Sequence, residues 1–196
     1  TKEPGSIGEP LYLDVKSLYY GEKEQPVIIG GRYGLSSKDT TPAQIFAVYK
    51  NLAKGEEALD GFTVGINDDV THLSLPLEKE INVAGDKASQ LIFFGLGSDG
   101  TVGANKSTIK LIGDNTDNYA QAYFAYDSKK SGGVTRSHLR FSPEPIRSTY
   151  LVTQADFVAC SLDTYVEKYD MLSSLKENGT FLLNTTKPVE ELIAYL

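Results

Sequence analysis

Hydrophobic and polar positions along the 196-residue chain alternate with two periods, and the changes of period mark its elements. Apolar residues at 11, 13, 15, 18 and 19 suit a short helix and a strand equally well. Pro26-Val27-Ile28-Ile29-Gly30-Gly31 is a β-rich run closed by glycines and predicts a buried strand. Thr41-Pro42 then opens a helix, with proline at the first helical position. Ala43, Ile45, Phe46, Val48, Tyr49 and Leu52 carry that helix onward to a stop at Gly55. Phe62-Thr63-Val64-Gly65-Ile66 predicts a second strand, so the first third reads β-α-β, the pattern of a parallel α/β layer.

Over residues 67–85 the periodicity dissolves into polar and turn residues, with Pro76 and the run Glu78-Lys79-Glu80, which predicts a linker. A new start follows in Ser89-Gln90-Leu91-Ile92-Phe93-Phe94-Gly95, a strand that runs straight into glycines. Residues 101–111 read as a helix, and 119–126 and 134–141 alternate as strands about a loop at Ser131-Gly132-Gly133. Residues 156–160 predict a short buried strand. Val166, Tyr169, Leu172 and Leu175 then predict a helix over 164–175 that ends at Asn178-Gly179. Residues 180–184 read as a strand, and Pro188 opens a terminal helix. The fold class expected is α/β in two layers, the second a Rossmann-like sheet, parallel or mixed, that opens with a glycine-rich phosphate turn.

Composition narrows the function classes. A hydrophobic fraction of 40% supports a real core. With 26 acidic against 19 basic residues, and a net charge of −7, the chain has no nucleic-acid footprint and would be repelled by an anionic membrane. One cysteine, Cys160, excludes a disulfide framework, a thiolate zinc site and an iron–sulfur cluster held by this chain alone. No apolar run reaches the ~18 residues of a membrane span. The chain opens on Thr1-Lys2-Glu3-Pro4 without an initiator methionine or a signal-peptide pattern, so it is expected to be a piece of a longer protein.

The segment that carries chemistry is Gly95-Leu96-Gly97-Ser98-Asp99-Gly100-Thr101-Val102-Gly103, a G-x-G-x-x-G turn between an apolar strand and a helix. Glycines let backbone N–H groups approach a phosphate, and the helix start turns its partial positive charge toward the same spot. Asp99 sits badly with a densely charged phosphate directly on the turn and is expected to cap the helix, as Ser98 or Thr101 could. Asp127 stands at the end of the next strand, where a dinucleotide fold carries its acidic ribose ligand. However, Ser128-Lys129-Lys130-Ser131 follows it, and two lysines suit the phosphates of NADP or coenzyme A.

The remaining candidates point to structure. His72 and His138 have no partner at helical spacing and read as structural residues. Arg136, Arg140 and Arg147 form a locally basic stretch that reads as solvated strand or as a contact for an anion. Cys160, within Phe157-Val158-Ala159-Cys160, reads as a buried thiol. Asp68-Asp69 and Asp114 to Asp117 lack a regular metal-ligand spacing, so no metal site is expected, and no nucleophile–base pair is visible.

Several blocks, in order along the chain, resemble the pyruvate:ferredoxin (flavodoxin) oxidoreductases. They are Gly31-Arg32-Tyr33-Gly34-Leu35-Ser36-Ser37, Phe62-Thr63-Val64-Gly65-Ile66-Asn67-Asp68-Asp69, the 95–106 turn, Asp117-Asn118-Tyr119-Ala120-Gln121, Tyr126-Asp127-Ser128-Lys129-Lys130, Ser137-His138-Leu139-Arg140-Phe141 and Pro145-Ile146-Arg147-Ser148-Thr149-Tyr150. The resemblance implies an internal slice of a long enzyme. Residues 1–85 would be the C-terminal part of a second, transketolase C-terminal-like domain plus linker, and 86–196 a truncated third, gamma-type domain. It implies conversion of pyruvate and coenzyme A to acetyl-coenzyme A and carbon dioxide, with electrons passed to ferredoxin or flavodoxin. Thiamine diphosphate and [4Fe-4S] clusters would be held by other domains of a homodimer in the cytoplasm, or in an organelle of an amitochondriate eukaryote.

By that resemblance this slice binds coenzyme A through Ser98, Asp99, Gly100, Thr101, Val102 and Lys130, with Gly97, Asn105, Lys106 and Lys129 as further candidates, and holds no catalytic residue. Two other readings stay open: an NAD(P)-binding Rossmann domain of another redox enzyme, motivated by the glycines and Asp127, and a domain-spacing module whose glycines serve packing alone.

Overall fold

The computed structural model describes residues 6–34, 38–67, 70–78, 81–127, 132–193 and 195. The chain forms two compact units, Thr1–Ile81 and Asn82–Leu196.

In the first unit, helix α1 (Pro10–Leu18) precedes strand β1 (Gly31–Arg32), and helix α2 (Pro42–Leu52) leads to strand β2 (Phe62–Thr63). The two strands pair in parallel, Gly31 with Phe62 and Arg32 with Thr63, as a β-α-β reading requires. The predicted strand over residues 26–31 shrinks to its last position and the residue after it. Its hydrogen bonds are taken by a turn instead: Gly30 N–H donates to Asp60 Oδ1 at 2.7 Å, and Gly61 N–H donates to the Gly30 carbonyl at 3.0 Å. The predicted linker is also shorter than expected. Thr63 N–H donates to the Leu73 carbonyl at 2.9 Å and Leu75 N–H to the Thr63 carbonyl at 2.8 Å, so residues 73–75 run alongside β2. Leu75 is buried there with Ala47, Phe62 and Val64 in the core of the unit.

The second unit is a mixed five-stranded sheet. Its strands are β3 (Ser89–Leu96), β4 (Tyr119–Tyr126), β5 (Val134–Ser142), β6 (Ala155–Cys160) and β7 (Leu175–Leu183), in the order β4-β5-β3-β6-β7. Strand β5 is antiparallel to β3 and β4, whereas β6 is parallel to β3 and β7. The register places Gly95, Phe93 and Leu91 on one face with Thr135, Ser137 and Leu139. Helix α3 (Thr101–Asn115) packs across β3, β5 and β4, and helix α4 (Val189–Ile193) closes the chain. On the opposite face Ile92, Phe94, Val158 and Cys160 pack with Val152, Tyr165, Val166 and Met171 in the main core.

The helix predicted over 164–175 is absent. A short 3-10 turn, Asp163–Tyr165, is followed by irregular chain, yet Val166, Tyr169, Met171 and Leu175 still reach the core. Tyr165 meets the Tyr169 ring edge-on at 5.1 Å. The Asn178-Gly179 signal belongs to β7, where Asn178 has φ 63° beside a register shift between Ala155 and Phe157. A helix end and a strand irregularity both use a left-handed residue, so the dipeptide announces either one.

Arg140, expected at the surface, is 3% exposed. Its Nε donates to Gln90 Oε1 at 2.8 Å, and its Nη1 donates to Gln121 Oε1 at 2.8 Å and to the Thr149 carbonyl at 2.6 Å and the Tyr150 carbonyl at 3.2 Å. Nη2 donates to the Leu151 carbonyl at 2.7 Å. Two positions earlier, His138 Nδ1 accepts the Val152 N–H at 3.2 Å. Burial, followed by the Arg140 and Arg136 charges, lowers the His138 pKa to about 4.

Two measurements check this arrangement. Arg140→Met leaves two amide oxygens and three carbonyls without their donor, and is expected to lower the unfolding free energy by about 3–5 kcal/mol in a denaturant titration. His138 is neutral when folded and is more basic when unfolded, so the unfolded chain binds the extra proton. Its contribution is complete above the ordinary histidine value and is lost as pH falls toward the folded value of about 4. The loss over that window is about 3 kcal/mol, and His138→Gln is expected to flatten it.

Candidate functional site

The sheet brings the carboxyl ends of β3, β4, β6 and β7 to one edge, with the amino end of β5 between β3 and β4. Leu96 faces Val134, Tyr126 faces Thr135, and Phe94 faces Cys160. From β3 the chain leaves to one side through α3 and β4, then returns on the other side through β6 and β7. The end of β3 is therefore a topological switch point, where open α/β sheets form ligand crevices.

The glycine-rich turn occupies this point. Gly97 N–H donates to the Gly133 carbonyl at 2.8 Å, and a Cβ at Gly97 would stand 3.2 Å from that oxygen. Gly100, the residue that precedes α3, has φ 92° and a left-handed conformation that favours glycine. At Gly95 a Cβ would come within 2.7 Å of Thr101 Cβ and 2.9 Å of Thr135 Oγ1, so that glycine serves close packing. Gly103 differs from these three: it lies inside α3, and a Cβ there would meet nothing within 4 Å.

Asp99 organises the turn. Its Oδ1 accepts the Thr101 N–H at 2.8 Å, and its Oδ2 accepts the Leu96 N–H at 2.8 Å and the Ser161 hydroxyl at 2.7 Å. Burial works to raise its pKa, but the hydrogen bonds from Ser161, Thr101 and Leu96 outweigh it and hold the carboxyl below the ordinary range. The helix-capping expectation for Asp99 is met through Thr101, and the side chains of Ser98 and Thr101 do not cap. Ala104 N–H donates to the Gly100 carbonyl at 2.9 Å, whereas the Val102 and Gly103 N–H groups take no acceptor among the described residues. Both residues line a cleft of about 450 Å³, bordered also by the turn, Tyr126, Asp127, Gly133, Val134 and Thr135.

Of the residues singled out in the sequence, Gly97, Ser98, Asp99, Gly100 and Val102 line this cleft. Thr101 lines a different, apolar groove with Phe93, Ala159 and Leu182. Asn105 is buried at 5% exposure with its Nδ2 unpartnered, and Lys106 Nζ lies 5.3 Å from the centre of the Phe124 ring; neither lines the cleft. Lys129 and Lys130 lie outside the described residues. Ser161 was not singled out, although it follows an apolar run that ends a parallel strand, the position where such sheets carry site residues.

Among the described residues no group of three or more His, Cys, Asp or Glu could hold a metal ion. Cys160 is buried; its thiol donates to the Leu162 carbonyl at 3.2 Å, and burial raises its pKa away from the reactive thiolate. Arg136 lies over the Phe94 and Tyr169 rings at 5.4 and 5.6 Å, and Arg147 is exposed.

Comparison with known proteins extends this geometry. Residues 90–194, more than half of the chain, match the family model described as pyruvate ferredoxin/flavodoxin oxidoreductase. The chain belongs to this family. It is 62% identical over 193 residues to a pyruvate-flavodoxin oxidoreductase of Enterobacter agglomerans, covering 98% of this chain and 16% of that protein. With the pyruvate:ferredoxin oxidoreductase of Moorella thermoacetica it shares 54% over 192 residues, again 98% of this chain and 16% of the relative. A mitochondrial NADP(+) pyruvate dehydrogenase of Euglena gracilis is 50% identical over 194 residues, 97% of this chain and 11% of that one. The crystal structure of pyruvate oxidoreductase subunit PORC from Thermotoga maritima superposes with a TM-score of 0.47 at 21% identity, covering 56% of each chain. The chain thus spans 16% of the length of the first two oxidoreductases.

Within this oxidoreductase segment the glycines separate by substitution. Gly95→Ala is expected to destabilise by about 1–3 kcal/mol, because three atoms of Thr101 and Thr135 must move. Gly103→Ala is expected to stabilise by up to about 0.5 kcal/mol, because it replaces a glycine in the first turn of α3 and its Cβ enters open space. Thermal unfolding of both variants measures the contrast.

Proposed function

We propose that this chain is a coenzyme A-binding segment of a pyruvate:ferredoxin (flavodoxin) oxidoreductase and holds none of its catalytic groups. The observation that supports the proposal is the cleft at the end of β3, lined by Gly97, Ser98, Asp99, Gly100, Val102 and Gly103. It lies at a helix start where the Val102 and Gly103 N–H groups take no acceptor among the described residues, and Gly103 leaves open the space of a side chain. Such a helix start suits the pyrophosphate of coenzyme A, and a side chain at position 103 would stand where that group approaches. Three hydrogen bonds draw the Asp99 charge into the turn, which reduces its repulsion of an anion. Lys130 and, beside it, Lys129 are proposed as the cations that meet the phosphates.

In the whole enzyme this segment holds the nucleotide end while the thiol reaches an intermediate elsewhere, a positioning role. Residues 1–85 are proposed as the end of a transketolase C-terminal-like domain and 86–196 as part of the gamma-type domain. The other domains of a homodimer supply thiamine diphosphate and iron–sulfur clusters. The residues here do not fit a cluster: there is one cysteine, and it is buried. Ferredoxin or flavodoxin is the proposed electron acceptor of the whole enzyme.

Calorimetric titration of the chain with coenzyme A tests the reading. Saturable binding is expected, weakened about tenfold by Lys130→Ala and at least as much by Gly103→Leu, since a lost charge-assisted contact is worth about 1.5–3 kcal/mol. No heat with coenzyme A, or tighter binding of NADH, refutes it.

A further inference from the structure

We propose that Asn178 is a site of spontaneous covalent modification, at which the side-chain amide is lost to attack by the backbone nitrogen of Gly179. The proposal does not rest on the coenzyme A reading. Asn178-Gly179 is the one Asn-Gly pair in the sequence, and it lies in β7, the strand at one edge of the sheet. Asn178 is exposed, and its side chain takes no hydrogen bond within the structure.

The fold itself installs this pair. Asn178 has φ 63°, in the left-handed region that asparagine tolerates better than most residues with a Cβ. At Gly179 a Cβ would fall 2.6 Å from Leu175 Cδ1 and 2.9 Å from the Lys176 carbonyl oxygen, so glycine alone fits without a shift. Leu175 faces Ala155 and Thr180 faces Phe157, so the residues between them bulge from the ladder with β6. A turn that needs these two residue types in this order thereby carries a reactive dipeptide.

The step balances with water alone. Gly179 N loses its proton to hydroxide and attacks Asn178 Cγ. The new C–N bond closes a five-membered succinimide, and the bond from Cγ to the amide nitrogen breaks, so that ammonia leaves. Water then opens the ring: cleavage of the new bond leaves aspartate, and cleavage of the original peptide bond leaves isoaspartate. Glycine favours the closure because no Cβ crowds the attacking nitrogen.

Two other pairs supply the contrast. Asp60-Gly61 and Asp99-Gly100 could close the same ring, but their carboxyls are engaged. Asp60 Oδ1 accepts the Gly30 and Gly61 N–H groups at 2.7 and 2.9 Å, and Asp99 accepts from Leu96, Thr101 and Ser161. The Asn178 amide has no such restraint. Its conversion adds a negative charge next to Glu177, and isoaspartate lengthens the main chain where Gly179 already fits tightly.

Tryptic peptide mapping of the full chain, incubated at neutral and at mildly alkaline pH, tests the proposal, with isoaspartate read by enzymatic carboxyl methylation. Asn178 is expected to convert at least about tenfold faster than Asn115, Asn118 and Asn184, whose following residues carry a Cβ. The rate is expected to rise with hydroxide, with ammonia released in equal amount and isoaspartate in excess over aspartate. Asn178→Gly keeps a residue suited to the left-handed region and is expected to abolish the methylated product. Conversion of Asn178 no faster than of the other three, a rate independent of pH, or methylation that survives in Asn178→Gly would each overturn the proposal. None of these outcomes bears on the coenzyme A titration, which reads the cleft at the end of β3.

Discussion

A single buried positive charge organises the second unit. Arg140 reaches Gln90 on β3, Gln121 on β4 and three successive carbonyls at Thr149, Tyr150 and Leu151. Among the described residues no carboxylate pairs with it, so the charge is balanced by dipoles alone. That balance is geometric: a planar guanidinium with five donors satisfies acceptors only where they converge in its plane. The three carbonyls belong to the connection between β5 and β6, and their convergence holds that connection against the face of the sheet. Its course brings the chain back past β3, so that β6 enters in parallel on the side away from β5. The switch point, and with it the cleft, follows from where this connection lies.

The same row of side chains explains the state of His138. Arg136, His138 and Arg140 share one face of β5 at alternate positions, and burial first, then the two flanking guanidiniums, disfavour a charge on the imidazole. The imidazole is therefore neutral and accepts a hydrogen bond from Val152, one residue beyond the carbonyls that Arg140 holds. Tyr123 continues the row and stacks on Tyr150 at 5.9 Å. Asp99 is the counterpart at the sheet edge, a charge of opposite sign held by neutral donors from β3, the α3 start and the end of β6. Ser161 reaches it because its own backbone is fixed: its N–H donates to the Phe94 carbonyl at 3.0 Å, and Asn184 Nδ2 donates to its carbonyl at 3.1 Å. The turn is thus set by the sheet and is in place before any ligand arrives.

Period and punctuation made most of the second unit legible. Residues 89–96, 119–126 and 134–142 alternate over long stretches, and the turn-to-helix passage carries its own glycines, so those elements stand where the pattern puts them. Short signals failed where tertiary bonds compete. Residues 26–30 have strand composition, but Asp60 and Gly61 take their hydrogen bonds. Residues 164–175 have helical spacing, but their apolar side chains reach the core through irregular chain. Arg140 was misread for a deeper reason. Alternation separates the two faces of a strand, yet it does not say that a loop covers the polar one. Ser161 escaped notice likewise, because its role depends on which strands are neighbours.

The glycines of the turn show how a requirement of the fold can be told from a requirement of a ligand. Gly95 and Gly97 are explained by atoms already present, and Gly100 by its backbone angle. Gly113 has open space around it, as Gly103 does, but it lies in the last turn of α3, where weakening the helix costs little. Gly103 sits in the first turn, beside two unclaimed N–H groups, where a stronger helix former would be tolerated sterically and is absent. Gly103 leaves open, on the wall of the cleft, the space that a side chain would fill. Rigidity at such a position matters chemically, since holding one end of a long substrate rigidly sets how often its other end meets a reacting centre.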